Sequence, residues 1–261
     1  MKCCICGTVK NCGPYLDKVF ENIEKIGSLF DDYKILLYYD TSEDDTLNKI
    51  NNYQNKNAKL LFHINKNHLL KHRTYNISRG RNFCLRYIRN NLPDYEMFIM
   101  MDMDDVNCKE VNLEPLRNSL QREDWDALSF NTSPYYYDIW ALSIKPYYLS
   151  FFAFKKTEEM SQTMMEYVTE KLKIVETGNL LPCASAFNGF AIYRTKKFLN
   201  CKYDGRLRLD LLPFCKIFKD NNTYDSKFIL KPDDCEHRAF HLEAILKNNA
   251  RIMISPEIIF T

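Results

Sequence analysis

The sequence predicts an α/β/α sandwich around a mostly parallel central sheet. Two observations carry this. Short apolar runs alternate with helically periodic segments through the first 107 residues, at the spacing of strand–helix–strand units. Several runs also end in polar residues, and an open parallel sheet binds its ligands at the carboxyl ends of its strands.

The elements follow in order. KCCICGTV (2–9) reads as a first strand. PYLDKVFENIEKIGSLF (14–30) places Leu16, Val19, Phe20, Ile23 and Ile26 at helical spacing, with Pro14 where a helix begins. YKILLYYD (33–40) is a second strand, and EDDTLNKINNYQNK (43–56) a polar helix whose acidic first turn suits the dipole. AKLLFHI (58–64) is a third strand, RGRNFCLRYIRNNL (79–92) a helix and EMFIMMD (96–102) a fourth strand. The second half is less regular. An aromatic segment (135–154) precedes a helix over 158–175, a strand over 185–194 entered by an Asn-Gly turn, a helix over 233–249 and a closing strand over 251–260. No Ser/Gly linker or repeat divides the chain, so one domain is expected over 1–261, with 1–107 as its ligand-binding half and 108–261 as its second half.

Composition narrows the classes. At 261 residues, 46% hydrophobic and a formal net charge of +2, the chain reads as a folded globule without the basic excess of a general nucleic-acid binder. Its start does not resemble a signal peptide. The longest apolar stretch, YYLSFFAF, is far below the ~20 residues of a membrane helix. A soluble cytoplasmic protein is therefore expected, with its ten cysteines reduced. Cys3 and Cys6 have a zinc-like gap, but no second pair completes four ligands, and buried strand cysteines are the plainer reading. The aromatic segment 135–154 is apolar enough to suggest a homodimer interface.

The chemistry concentrates at strand ends. Thr8 and Lys10 end the first strand, Asp40 the second, and Asp102 and Asp104 the fourth. Two carboxylates one residue apart after an apolar strand suit a hard divalent cation, Mn²⁺ or Mg²⁺, that keeps positions open for phosphates.

These segments resemble the GT-A-fold glycosyltransferases that use nucleotide sugars. YYDTSEDDT (38–46), NISRGRNFCLRYIRN (76–90) and FIMMDMDD (98–105) match that family's order over residues 1–107. YYDIWAL (136–142), FNGFAIYR (187–194) and DDCEHRAFH (233–241) resemble, more loosely, fungal capsule-associated mannosyltransferases and related viral or protist enzymes. The segment after Trp140 lacks the acidic residue that pattern would carry.

The resemblance implies a Mn²⁺- or Mg²⁺-dependent transfer of a sugar from a nucleotide-diphosphate donor, UDP-sugar favoured over GDP-sugar, to a glycan hydroxyl. It assigns Thr8 and Asp40 to base and ribose, Lys10, Arg79, Arg81 and Asn82 to the diphosphate edge, and Asp102 and Asp104 to donor and metal. In the DDCEH segment, Glu236 is the candidate base with Asp234 second, and His237 is a candidate metal ligand. Asp138, Trp140, Asn188 and Gly189 are candidate acceptor contacts. The alternatives are a nucleotidyltransferase acting on sugar phosphates, which would show a Gly-rich basic loop after the first strand, and an inactive carbohydrate-binding scaffold.

Overall fold

A computed structural model describes residues 1–176, 178–212 and 231–261. Its centre is an eight-stranded sheet in the order β3-β2-β1-β4-β7-β5-β8-β6. The strands are β1 (Lys2–Val9), β2 (Asp32–Tyr39), β3 (Leu60–Ile64), β4 (Met97–Met101), β5 (Ala127–Asn131), β6 (Leu181–Cys183), β7 (Phe190–Arg194) and β8 (Ile252–Ile258). The first four pair in parallel, as do β5 and β8; β7 runs antiparallel between β4 and β5, and β6 is an antiparallel edge. The sheet is thus α/β and mostly parallel, and the second half of the chain completes it.

The described helices of more than one turn are α1 (Gly13–Gly27), α2 (Thr46–Gln54), α3 (Arg73–Asn91), α4 (Glu114–Leu120), α5 (Thr157–Ile174) and α6 (Glu236–Asn248). Alternation along β1 sorts the core into two layers. Cys3, Ile5 and Val9 pack with Leu16, Val19 and Ile23 of α1, while Cys4 and Cys6 pack with Cys84 and Ile88 of α3 and Phe240 of α6. The nine described cysteines are free thiols, and among the described residues no three or more His, Cys, Asp or Glu side chains converge as a metal site. The Cys3–Cys6 pair therefore belongs to the core.

Two expectations are corrected. The sequence reading omitted β5, β6 and α4. It began α3 at Arg79, whereas the helix starts six residues earlier at Arg73. The apolar content of 135–154 is used internally: Tyr136, Ile139, Leu142 and Ile144 are buried against Met164, Val168 and Leu172 of α5. The basis for a dimer interface there is correspondingly reduced. No described helix is long and apolar enough to cross a membrane.

Candidate active site

Because β1, β2 and β4 are parallel and in register, their carboxyl ends open on one edge. Thr8, Lys10, Asp40, Asp102 and Asp104 meet there around a cavity of about 420 Å³, which Lys71 and Arg73 also line. The Asp40 carboxylate accepts a 2.6 Å hydrogen bond from Asn65 Nδ2. Gly80 lets α3 lie close to this edge: a Cβ there would stand 2.6 Å from Thr8 Cγ2 and 2.7 Å from the Tyr38 ring.

The chain after β4 is firmly held. Asp102 N–H donates to the Gly189 carbonyl at 2.8 Å, and Asp104 caps a single 3₁₀ turn by accepting from Val106 N–H at 3.3 Å. Asn107, fully buried, donates through Nδ2 to the carbonyls of Asp102 and Gly189, both at 2.8 Å. The aspartates are fixed by this frame rather than carried on a free loop.

A second cavity, also about 420 Å³, adjoins the first and shares Arg73, Ile77, Asp102 and Asp104 with it. Its further walls include Arg81, Asp105, Tyr137, Asp138, Trp140 and Glu236. Asp102 keeps 28% of its side-chain surface exposed. Burial, opposed by Arg81 and reinforced by Asp104, Asp138 and Glu236, pushes its pKa up to about 7. Burial likewise raises Asp104, and raises Asp138 with help from Glu236.

A family model described as Glycosyl transferase family 2 matches residues 4–177. The chain belongs to glycosyl transferase family 2. The match runs from β1 through α5, so it contains the aspartates after β4 and leaves β7 and α6 outside. No curated protein matches this family-2 chain. Among solved structures, S. aureus TarS 1–349 in complex with UDP-GlcNAc aligns over 100% of this chain and 57% of its own, with 17% identity and a TM-score of 0.46. The mannosyltransferase PcManGT from Pyrobaculum calidifontis, in complex with GDP-Man and Mn²⁺, aligns over 97% and 56%, with 10% identity and a TM-score of 0.47. The family-2 chain thus spans less than three fifths of the length of each.

Arg81 is the hub of the family-2 site. Only 3% exposed, it donates through Nη2 to Asp102 at 3.0 Å and through Nη1 to Glu236 and to His237 Nε2. Its guanidinium lies over Phe187, 4.6 Å from the ring centre. Burial opposes its charge, but Glu236 and Asp102 outweigh that and raise its pKa. A guanidinium only donates, so Nε2 of His237 must be the acceptor and Nδ1 carries the proton. Burial, with Arg81 and His241 beside it, keeps His237 neutral. Its Nδ1 faces Tyr193 Oη at 3.5 Å; Tyr193 Oη lies 3.1 Å from His241 Nε2, and His241 Nδ1 lies 3.0 Å from Ser185 Oγ.

Several expected residues do other work. Arg79 donates to the His68 carbonyl at 3.1 Å and lines neither cavity. Asn82 clasps the Tyr203 backbone, donating to its carbonyl at 2.8 Å and accepting from its N–H at 2.9 Å. Asp234 pairs at 2.8 Å with Arg238, which in turn donates to the carbonyls of Trp140 at 2.6 Å and Leu142 at 2.7 Å; this carboxylate braces the 138–148 loop. Asn188 accepts from Asp138 N–H at 3.0 Å and donates to the Phe130 carbonyl at 2.8 Å, while Gly189, at φ +79, offers its carbonyl to Asp102 and Asn107. Both position cavity residues and line neither cavity. His237, with Nε2 on Arg81, is not brought into a donor set with the aspartates.

Arg73, Tyr137, Asn65 and Asn107 escaped the sequence reading. Arg73 lines both cavities beside Asp104. Asn107 carried a local signal, standing three residues after the D-x-D motif.

The fit to a divalent cation rests on the aspartate pair. Two partly buried carboxylates whose charges are mutually unfavourable, opening on a cavity, are oxygen donors of the kind that hold Mg²⁺ or Mn²⁺ together with substrate phosphates.

Proposed function

We propose that this family-2 chain transfers a glycosyl group from a nucleotide-diphosphate sugar to an acceptor hydroxyl, with a divalent cation held by Asp102 and Asp104. The supporting observation is the pair of adjoining cavities that share those two aspartates, one running to Asp40 and the other to Asp138 and Glu236. The first is the donor side. The Asp40 carboxylate would accept from a base N–H, which both uracil and guanine present, and Lys10, Lys71 and Arg73, which line the same cavity, would meet the diphosphate. UDP is favoured over GDP on the resemblance of Thr8 and Asp40 to uracil contacts. A bound cation would offset charge developing on the leaving diphosphate.

On the acceptor side the base is assigned to Glu236, which lines the cavity. Asp138 is a second reading with a specific observation behind it. Glu236 is ion-paired to Arg81, whereas the Asp138 carboxylate accepts only backbone N–H groups among its described hydrogen bonds, from Ala141 at 3.2 Å and Asn188 at 3.3 Å, and burial raises its basicity. The base acts on the acceptor in the transition state, so its amide variant should lower kcat by at least about a hundredfold with donor affinity nearly unchanged. Kinetics on Glu236→Gln and Asp138→Asn decide between them; full turnover in both would remove the base from this cavity. Mn²⁺-dependent hydrolysis across a panel of UDP- and GDP-sugars tests the function itself. A chain that is inert with every donor, or that consumes sugar phosphates and a nucleoside triphosphate, would overturn it.

A further inference from the structure

The two cavities differ in charge, and the difference bears on what each can admit. The donor-side cavity balances three cations, Lys10, Lys71 and Arg73, against three carboxylates, Asp40, Asp102 and Asp104. The acceptor-side cavity sets the five carboxyl groups of Asp102, Asp104, Asp105, Asp138 and Glu236 against only Arg73 and Arg81, which leaves its walls two charges negative in formal terms even with Asp102 counted as neutral. His237 adds nothing, because burial keeps it neutral. Neither arginine is spare on this side: Arg81 is already shared by Asp102 and Glu236, and Arg73 is common to both cavities. A divalent cation with a nucleotide-sugar diphosphate brings about as much negative charge as positive, so loading the donor leaves the sign of the acceptor field unchanged.

The remaining surface is of another kind. Tyr137 is 39% exposed and Trp140 half-buried, and both line the cavity. Aromatic faces meet the C–H face of a sugar ring, while the carboxylates accept from its hydroxyls.

We infer that the acceptor is an uncharged saccharide, and that acceptors bearing a carboxylate, phosphate or sulfate near the reacting hydroxyl are rejected by the charge of the cavity walls. This rests on the glycosyl-transfer reading above and names its acceptor class. Like charges brought together in a partly desolvated cavity separate substrates by at least about tenfold.

The test uses the full chain with Mn²⁺ and the nucleotide sugar it hydrolyses best. Acceptors are a set of neutral methyl hexosides, the matching methyl uronides and the hexose 6-phosphates, with product formation measured alongside acceptor-free donor hydrolysis. A neutral hexoside should be used with kcat/KM at least about tenfold above its uronide and phosphate counterparts. Asp105→Lys, at an exposed wall position, should narrow that gap at least about threefold. Equal or better use of the anionic acceptors overturns the inference. So does a gap that neither Asp105→Lys nor added salt narrows, or hydrolysis that no neutral hexoside diverts into product. Absence of metal-dependent hydrolysis with any donor fails the underlying reading instead, and this inference with it.

Discussion

At the scale of single residues, Arg81 has the most consequences. Its guanidinium is shared by Asp102, Glu236 and His237 inside the protein, so removing it strands two carboxylates in a poorly solvated place. Arg81→Met should cost about 3–5 kcal/mol in denaturant unfolding, as broken buried pairs do. A loss under about 1 kcal/mol would mean that the carboxylates are better hydrated than the geometry implies. His241 makes one contribution to the pH dependence of stability. Burial, with Arg81 and Arg238 near, pushes its pKa down to about 3 from an ordinary value near 6.5. Between those values the unfolded chain binds a proton that the folded chain does not. The His241 contribution to stability is therefore full above about pH 6.5 and drains as pH falls toward 3, by on the order of 5 kcal/mol. His241→Gln should flatten that acid limb in thermal melts from pH 7 to 4; an unchanged slope would assign acid sensitivity to other groups.

At the scale of elements, the β1–β4 half was legible because its signals are local. Each strand is a short apolar run, and carboxylates or cations follow β1, β2 and β4 directly. The α3 helix shows the limit. Its first turn, around His72 and Arg73, has little apolar periodicity and reads as loop, so Arg73 was passed over. Successive helical residues turn by about 100°, so Arg81 lies about 160° around α3 from Arg79 and about 100° from Asn82, and a motif read as a unit scatters over different environments. In the second half, β7 enters antiparallel between β4 and β5, a long-range pairing that no local pattern encodes. Asp234 was misread for a related reason: its partner is Arg238, one helical turn on, which reaches across to the loop carrying Trp140. Arg238→Lys keeps the charge but loses the fork that spans Asp234 and three carbonyls. Raised acceptor KM, faster proteolytic cleavage within 138–148 and unaltered donor hydrolysis should follow. Unchanged acceptor KM would separate that loop from acceptor binding.

At the scale of the whole molecule, one edge of one sheet collects side chains from β1, β2 and β4, the start of α3, the 137–140 loop and α6, and divides them into two cavities that meet at Asp102 and Asp104. On the proposed function, this meeting point binds a divalent cation together with a nucleotide diphosphate. Calorimetry of UDP and GDP binding, with and without Mn²⁺, on the wild-type chain and on Asp104→Asn tests it most directly. Mn²⁺ should strengthen binding at least about tenfold in the wild type and have no effect in the variant, whose melting temperature should stay close to wild type because the residue sits beyond the end of β4. Metal-strengthened binding that survives in Asp104→Asn, or wild-type binding that Mn²⁺ leaves unaltered, would contradict it.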